Sequence, residues 1–251
     1  MKSLNKVLDI LEVFITTESS EIRLTELAKL TGLHKATVNR MVSVLVKRGY
    51  LTQQEVRGKY TLGAKFLNFS AAIKKKSKIS NIARPHLIAL NKIVKESAVL
   101  HSYDGERIIF IEEVHSEYPL RIIPEPEKSA PHYCTAIGKL LLAEKTESEL
   151  EKYFSETDIE KYTPNTVTDL KKLKAHLIIV ARDGVAYDEE EWHPGVMAIA
   201  AGIRDEEERL IGCVGVLGPT VRLSKKRLLD LSPHVKQCAM KISLDLGYRD
   251  Q

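Results

Sequence analysis

The stretch LTELAKLTGLHKATVNRMVSVLVKRGYL, residues 24–51, decides the fold of the N-terminal third of the chain. A short helix is predicted from Thr25 to Leu30, with the Thr25 hydroxyl as its N-cap. Gly32 follows where the chain must turn sharply, a backbone position that glycine fills without steric cost. A second helix begins at about Lys35, because its apolar positions recur at the spacing that buries one stripe: Val38, Met41, Val42 and Leu45. The pattern predicts a helix-turn-helix.

The opposite face of the second helix carries side chains that can bond to DNA. A recognition helix meets base edges and phosphates with its exposed face and its N-terminus. An ordinary amphipathic helical hairpin with a basic, solvated face is the alternative. The candidate DNA-binding residues of the two helices are Thr25, Lys35, Ala36, Thr37, Asn39, Arg40, Ser43 and Lys47.

The residues after the second helix favour DNA binding over that alternative. Residues 51–54 are predicted to form a strand, Arg57-Gly58 a tight turn, and residues 59–62 the returning strand. Such a two-stranded wing lies beside the recognition helix and reaches the sugar-phosphate backbone or the minor groove. Arg57 and Lys59 are therefore added to the candidate DNA-binding residues.

Charge is divided unevenly along the 251 residues. Residues 1–84 contain 16 Lys and Arg against 6 Asp and Glu, which leaves 22 against 28 for residues 85–251. Only the basic N-terminal third suits a polyanion such as double-stranded DNA. No signal peptide and no apolar run long enough to span a bilayer are recognised, so a soluble cytoplasmic protein without membrane contact is expected.

The periodicity divides the chain into three parts. Residues 1–63 are predicted to form a winged helix-turn-helix domain, with an additional helix at its start, and residues 64–80 a linker helix. The lysine run near residue 76 suits the end of that helix, with phosphate contact as the alternative. Residues 81–251 form the second domain, which begins with a helix over 86–96 after Pro85.

The second domain alternates between groups of strands and helices. Strands are predicted over 98–103, 107–114, 120–123, 184–189, 197–203 and 209–217. Helices are predicted over 136–144, from the Thr146–Glu149 capping box onward, over 169–182 and over 224–246. This order implies an α+β domain with a mostly antiparallel sheet, so the chain is a two-domain protein of two α+β parts joined by a helix.

Three later segments resemble a known family. They are APHYCTAIGKLLLA (130–143), DGVAYDEEEWHPGVMAIAAGIRD (183–205) and GCVGVLGPTVRLS (212–224). In this order behind a winged helix-turn-helix, they resemble an IclR-type transcriptional regulator over essentially the whole chain. The resemblance implies a GAF-like effector domain, control by a small metabolite, and homodimers or dimers of dimers on palindromic operators.

The resemblance also implies an effector pocket. Its residues here would be Thr135, Ala136, Ile137, Asp188, Val196, Ala198, Gly215 and Leu217. Backbone N–H groups at the start of the helix after Thr135 suit a carboxylate. Asp188 could accept a hydrogen bond from a hydroxyl or neutralise a cation, with capping of a helix or turn as the alternative. Gly215 and Leu217 stand where hydroxyl side chains occur in some members, which makes this pocket more apolar.

The sequence gives only weak indications of metal binding or catalysis. The soft or titratable residues near the presumed pocket have no metal-ligand spacing, so no metal or cofactor is expected: His132, Cys134, Asp188, His193 and Cys213. No nucleophile elbow or P-loop points to an enzyme. The predicted function is therefore a ligand-responsive regulator, in the first place a repressor, of a metabolic operon, controlled by a small organic or sugar-derived acid. The alternative is a constitutive DNA-binding protein whose C-terminal domain only dimerises.

Overall fold

The computed structural model describes residues 2–17, 19–53, 58–103, 108–123 and 130–249. The chain divides into two compact units, Met1–Lys76 and Ser77–Gln251. No helix within the described ranges is both long enough and apolar enough to cross a bilayer.

The N-terminal unit is a helix-turn-helix followed by a wing, as predicted. Its elements are α1 (Lys2–Thr16), α2 (Leu24–Thr31), α3 (Lys35–Lys47), β1 (Leu51–Gln53), β2 (Tyr60–Leu62) and α4 (Lys65–Lys76). Strands β1 and β2 pair antiparallel, and an isolated bridge joins Ile22 to Tyr60. The core is formed by completely buried side chains, which include Ile10, Leu27, Val38 and Val42. Arg57, at the predicted tip of the wing, lies outside the described residues.

The start of α2 differs from the prediction. Thr25 does not cap the helix, because α2 begins one residue earlier and Arg23 is the N-cap residue. The Glu26 carboxylate accepts a hydrogen bond from the Arg23 N–H at 2.8 Å and so satisfies a donor at the helix start. The predicted turn at Gly32 is confirmed by its left-handed backbone, with φ of +67°.

The predicted linker helix also differs. Helix α4 ends at Lys76, and α5 (Lys78–Val94) starts after Ser77, whose hydroxyl accepts a hydrogen bond from the Ser80 N–H at 3.3 Å. The helix expected to begin after Pro85 instead runs through it. A proline inside a helix removes one backbone hydrogen bond. Burial of Leu87 and Leu90 against the sheet offsets that loss.

The C-terminal unit is the predicted α+β domain with an antiparallel sheet. Within the described ranges, its sheet contains the strands β3 (Ser97–Tyr103), β4 (Ile108–Val114), β5 (Val185–Glu189), β6 (Val196–Arg204) and β7 (Leu210–Pro219), in the order β4-β3-β7-β6-β5. Every neighbouring pair is antiparallel. The helices after α5 are α6 (Ala136–Ala143), α7 (Glu147–Glu156), α8 (Leu170–Asp183) and α9 (Lys225–Asp245).

Alternation along the strands gives the sheet two apolar faces. Leu100, Ile199 and Val216 point to one face, where they pack against α5 and α9. Ala200 and Cys213 point to the other face, where they pack against α6 and Val180 of α8. The sheet is therefore covered by helices on both sides, and α6 lies on the face that carries the predicted pocket residues.

The strand predicted over residues 120–123 is wrong. Residues 120–123 have no regular secondary structure, and the side chains of Leu120 and Ile123 are 59% and 64% exposed. The Leu120 carbonyl accepts a hydrogen bond from the Arg222 side chain at 2.7 Å, and not from a neighbouring strand. β-forming residues do not make a strand where no partner strand is available.

Candidate functional site

The recognition face of α3 is exposed along its whole length. Ala36, Arg40, Ser43 and Lys47 are exposed and lie opposite the buried stripe of Val38, Met41, Val42 and Leu45. Within the described ranges, neither Arg40 nor Lys47 forms an ion pair, so both cations are available to an external anion. The Ser43 hydroxyl donates to the Asn39 carbonyl at 2.7 Å and keeps its own lone pairs for a donor.

The first turn of α3 is open to an anion. His34 is the N-cap residue but makes no side-chain cap hydrogen bond. The N–H groups of Thr37 and Val38 bond to the His34 carbonyl, whereas Lys35 and Ala36 lie at the exposed start of the helix. Thr37 is partly buried. A helix start with free N–H groups next to a lysine suits a phosphate.

Lys59 is the basic residue of the wing that lies within the described ranges. The Nζ atom of Lys59 lies 3.2 Å from the Glu21 carboxylate, and both side chains are at least one-third exposed. Such a surface ion pair contributes little and can exchange for a phosphate. Thr25 is exposed in the first turn of α2.

The predicted effector residues on the strands share one face of the sheet. Asp188 of β5, Ala198 of β6 and Leu217 of β7 are direct cross-strand neighbours in one row. Ala200 and Gly215 form the next row, and Val196 pairs with Pro219. Because side chains alternate along a strand, Asp188, Val196, Ala198, Gly215 and Leu217 all point to the face that α6 covers. The structure therefore brings together five of the eight predicted residues.

The remaining three predicted residues form the start of α6. Thr135 is the N-cap residue, and its hydroxyl accepts from the Gly138 N–H at 3.2 Å and donates to the Pro131 carbonyl at 2.8 Å. Ala136 and Ile137 pack in the same apolar cluster as Ala198. The cap engages the Gly138 N–H, so the amides of Ala136 and Ile137 are the ones left for a carboxylate.

Gly138 is required by sterics at this site. A Cβ atom at Gly138 would lie 2.1 Å from the His132 Cα atom and 2.4 Å from its carbonyl oxygen. Helix α6 can therefore approach the preceding turn, His132–Cys134, only with glycine at this position.

Sequence reasoning missed a buried charge cluster beside the predicted pocket. The ammonium group of Lys139 donates to the Tyr187 carbonyl at 2.8 Å and forms an ion pair with Glu191, and both charged side chains are less than one-tenth exposed. One signal was present: Lys139 stands in the otherwise apolar segment AIGKLLLA. A buried lysine needs an acidic partner, and Glu191 is one of three consecutive glutamates.

Asp188 belongs to the same cluster. Its Oδ1 atom accepts from the Glu191 N–H at 2.7 Å, so Asp188 caps a turn, which is the alternative that the sequence left open. Burial raises the pKa of the Asp188 carboxyl to about 7, the hydrogen bond from Glu191 opposes the rise, and the Glu191 carboxylate adds to it. Asp188 therefore titrates near neutral pH rather than as an ordinary surface acid.

Side-chain hydroxyls from another segment also hold the turn after β5 through hydrogen bonds. The hydroxyls of Thr163 and Thr166 donate to the carbonyls of Glu190 and Glu191, each at 2.6 Å. Glu190 itself has a left-handed backbone with φ of +58°. These bonds fix the backbone that presents Asp188 and Glu191 to α6.

The thiols near the site are protonated. Burial raises the pKa of Cys134 to about 12, and the carboxylates of Asp188 and Glu191 add to the rise. Burial also raises the pKa of Cys213 to about 12. Across the part of the chain that the structure describes, no three His, Cys, Asp or Glu side chains are grouped to hold a metal ion.

A winged helix-turn-helix with a free basic face, carried in one chain with an α+β domain, defines a two-domain DNA-binding regulator. Two family models match: the bacterial transcriptional regulator IclR C-terminal domain over residues 71–244 and the IclR helix-turn-helix domain over residues 3–55. The chain belongs to the IclR family of transcriptional regulators.

Individual relatives match over most of their length. The chain is 30% identical to the HTH-type transcriptional regulator KdgR of Escherichia coli K12, covering 100% of this chain and 94% of KdgR. It is also 30% identical to the DNA-binding transcriptional repressor YiaJ of the same strain, and the match covers 90% of this chain and 81% of YiaJ. The same fold occurs in a crystal structure of an IclR homolog from Microbacterium hydrocarbonoxydans complexed with 4-hydroxybenzoate, with a TM-score of 0.80. That homolog is 20% identical, and the match covers 97% of this chain and 98% of the homolog.

Proposed function

We propose that this IclR-family regulator is a cytoplasmic, effector-controlled repressor of a metabolic operon. The observation that carries the proposal is the recognition face of α3, where Arg40 and Lys47 are exposed opposite a buried stripe. Arg40, Asn39 and Ser43 contact base edges, whereas Lys35, Lys47, Lys59 and the uncapped start of α3 contact phosphates. The name of the relative YiaJ, a repressor, supports repression over activation.

The protein acts as a homodimer, alone or as a dimer of dimers. Exposed leucine and isoleucine side chains follow one stripe of α1: Leu4 is 64% exposed, Leu8 47% and Ile15 51%. Leu67 and Ile73 of α4 are 71% and 63% exposed. Exposed apolar side chains of this kind favour burial against another molecule, and a second copy would place two recognition helices on the two halves of a palindromic operator.

The effector is a small carboxylic acid held between α6 and the sheet. Its carboxylate bonds to the amides of Ala136 and Ile137, whose helix dipole favours an anion. The small residues Ala198 and Gly215 make room for its body, and Asp188 faces its polar end. Effector binding shifts the balance between two arrangements of the dimer through its different affinity for each, and α4, as the linker, transmits the change.

Binding to DNA upstream of the gene for this protein tests the regulator proposal. Fluorescence anisotropy at two salt concentrations, with scrambled DNA as the control, should show specific binding that weakens steeply with salt. Equal weak binding to both DNAs would contradict the proposal.

Effector control is tested separately from DNA binding. An acid at one hundred times its dissociation constant should stabilise the protein by about 2.7 kcal/mol in a thermal unfolding experiment. The acid 4-hydroxybenzoate is a suitable first probe, followed by sugar-derived acids. Operator binding that no acid in the panel changes would favour the alternative, in which the C-terminal domain only dimerises.

A further inference from the structure

A cavity of about 300 Å³ opens at the end of the sheet where β5 stops short of β6. β5 begins at Val185, opposite Ala201, whereas β6 continues to Arg204. Helices α6, α8 and α9 flank the gap. The volume is at the lower end of the range of small-molecule sites.

The cavity lies at the opposite end of α6 from the effector site proposed above. Ala136 begins α6, and Ala143 and Glu144 at its other end line the cavity. Eight residues of helix span about 12 Å, so the two sites are separate but share one helix.

The lining of the cavity combines apolar surface with three charged side chains. Ala143, Val180, Ala201 and Met240 provide apolar surface. Three charged side chains also line the cavity, and two of them neutralise each other because Arg204 bonds to both Glu144 carboxylate oxygens, at 2.5 and 3.2 Å.

The third charged side chain is Lys236. It is exposed and forms no ion pair among the residues that the structure describes, and the nearby Asp183 carboxylate is held by Arg182 at 2.7 Å. Among the described residues, Lys236 is therefore a positive charge without an ion pair, within electrostatic reach of the Asp183 carboxylate and beside apolar surface. A molecule with an apolar body and an anionic group complements both features.

We propose that this cavity binds a small amphipathic carboxylate, with its anionic group toward Lys236 and its chain against Ala143, Val180 and Met240. The site goes beyond the effector site and does not depend on it.

Methyl NMR of the full chain tests the site directly. The chain has four methionines, of which Met240 lines the cavity and Met41 lies in the core of the N-terminal unit. With ¹³C-methyl methionine labelling, octanoate should shift the Met240 resonance saturably and leave that of Met41 unmoved. Octanol, which has the same chain length and no charge, should bind more weakly.

Two variants locate the ligand. Lys236→Glu should weaken octanoate binding roughly three- to tenfold, whereas Lys241→Glu, on the same helix but outside the lining, should leave it unchanged. Ala181→Phe fills the cavity from an exposed position of α8 and should abolish the shift. An unmoved Met240 resonance, equal binding of octanol, or unchanged binding in Lys236→Glu or Ala181→Phe would overturn the proposal.

Discussion

Lys139 and Glu191 form an ion pair in the interior of the C-terminal unit, 52 residues apart in sequence. The pair connects α6 to the turn that follows β5, and the same ammonium group bonds to the Tyr187 carbonyl. Asp188 caps that turn through the Glu191 N–H. Two of the segments that carry the proposed effector site, α6 and β5 with its following turn, are therefore joined by one buried polar cluster.

Removing the lysine should strongly destabilise the C-terminal unit. Lys139→Met leaves Glu191 buried without its cation, and breaking a buried pair in this way costs about 3–5 kcal/mol. Lys139→Met combined with Glu191→Leu should recover much of that loss, because no charge is then left unpaired. Urea denaturation measures both, with the exposed Lys241→Met as the control. A single variant as stable as the control would show that the pair is unimportant.

Asp188 should make the protein less stable as pH rises. Its pKa is raised from 3.8 to about 7 on folding, so the folded state holds a proton that the unfolded state releases between these values. The stabilisation from the protonated carboxyl is complete below about pH 4 and is lost as pH rises through 7.

Asp188→Asn isolates this effect because the amide oxygen can still cap the turn. As pH rises, the free energy of unfolding of the variant should increase relative to that of the wild type. The difference should change by up to about 4 kcal/mol by pH 8, since each pKa unit corresponds to about 1.4 kcal/mol. Denaturation curves between pH 4 and 8 provide the measurement. A difference between the two proteins that does not change with pH would contradict the raised pKa.

Gly138 and Gly184 should respond differently to alanine. At Gly138 the new Cβ atom meets His132 backbone at 2.1 Å, so α6 must move and a loss of about 3 kcal/mol is expected. At Gly184 nothing lies within 4 Å, but φ is +67°, so only the left-handed penalty of about 1–2 kcal/mol applies. Equal losses of stability would contradict the close contact at α6.

The amide of Ala136 should contribute directly to acid binding. Ala136→Pro places proline at the first helical position, which tolerates it, and Thr135 already has the extended backbone that proline requires of its predecessor. One N–H donor disappears while the helix remains. The thermal shift given by a bound acid should shrink relative to Ile137→Val, which keeps both amides. An undiminished shift would place the carboxylate elsewhere.

Local signals predicted the elements well. The stripe of α3 has four buried residues at the expected spacing, and α8 begins with its Asp169 cap and ends at Gly184 with a left-handed backbone. These features depend on neighbours within one or two turns, which the sequence displays directly.

Features that depend on distant partners were not predicted. Residues 120–123 had strand-forming composition, but Arg222 rather than a strand bonds to Leu120. Lys139 was not singled out, because its burial depends on Glu191, and turn capping by Asp188 was predicted only as the alternative to a contact with the ligand. That Asp188, Ala198 and Leu217 share one face of the sheet could be expected only through the family resemblance, since cross-strand register is not visible in a single sequence.

The most direct test of sequence recognition by α3 is the specificity of Arg40→Ala for operator DNA. Anisotropy at roughly 50 and 200 mM salt should show that this variant loses about 1–3 kcal/mol on the operator and much less on scrambled DNA. Lys171→Ala removes one exposed charge from α8 and should behave like the wild type. If Arg40→Ala kept the wild-type ratio of affinities for operator and scrambled DNA, α3 would not be the element that reads the sequence.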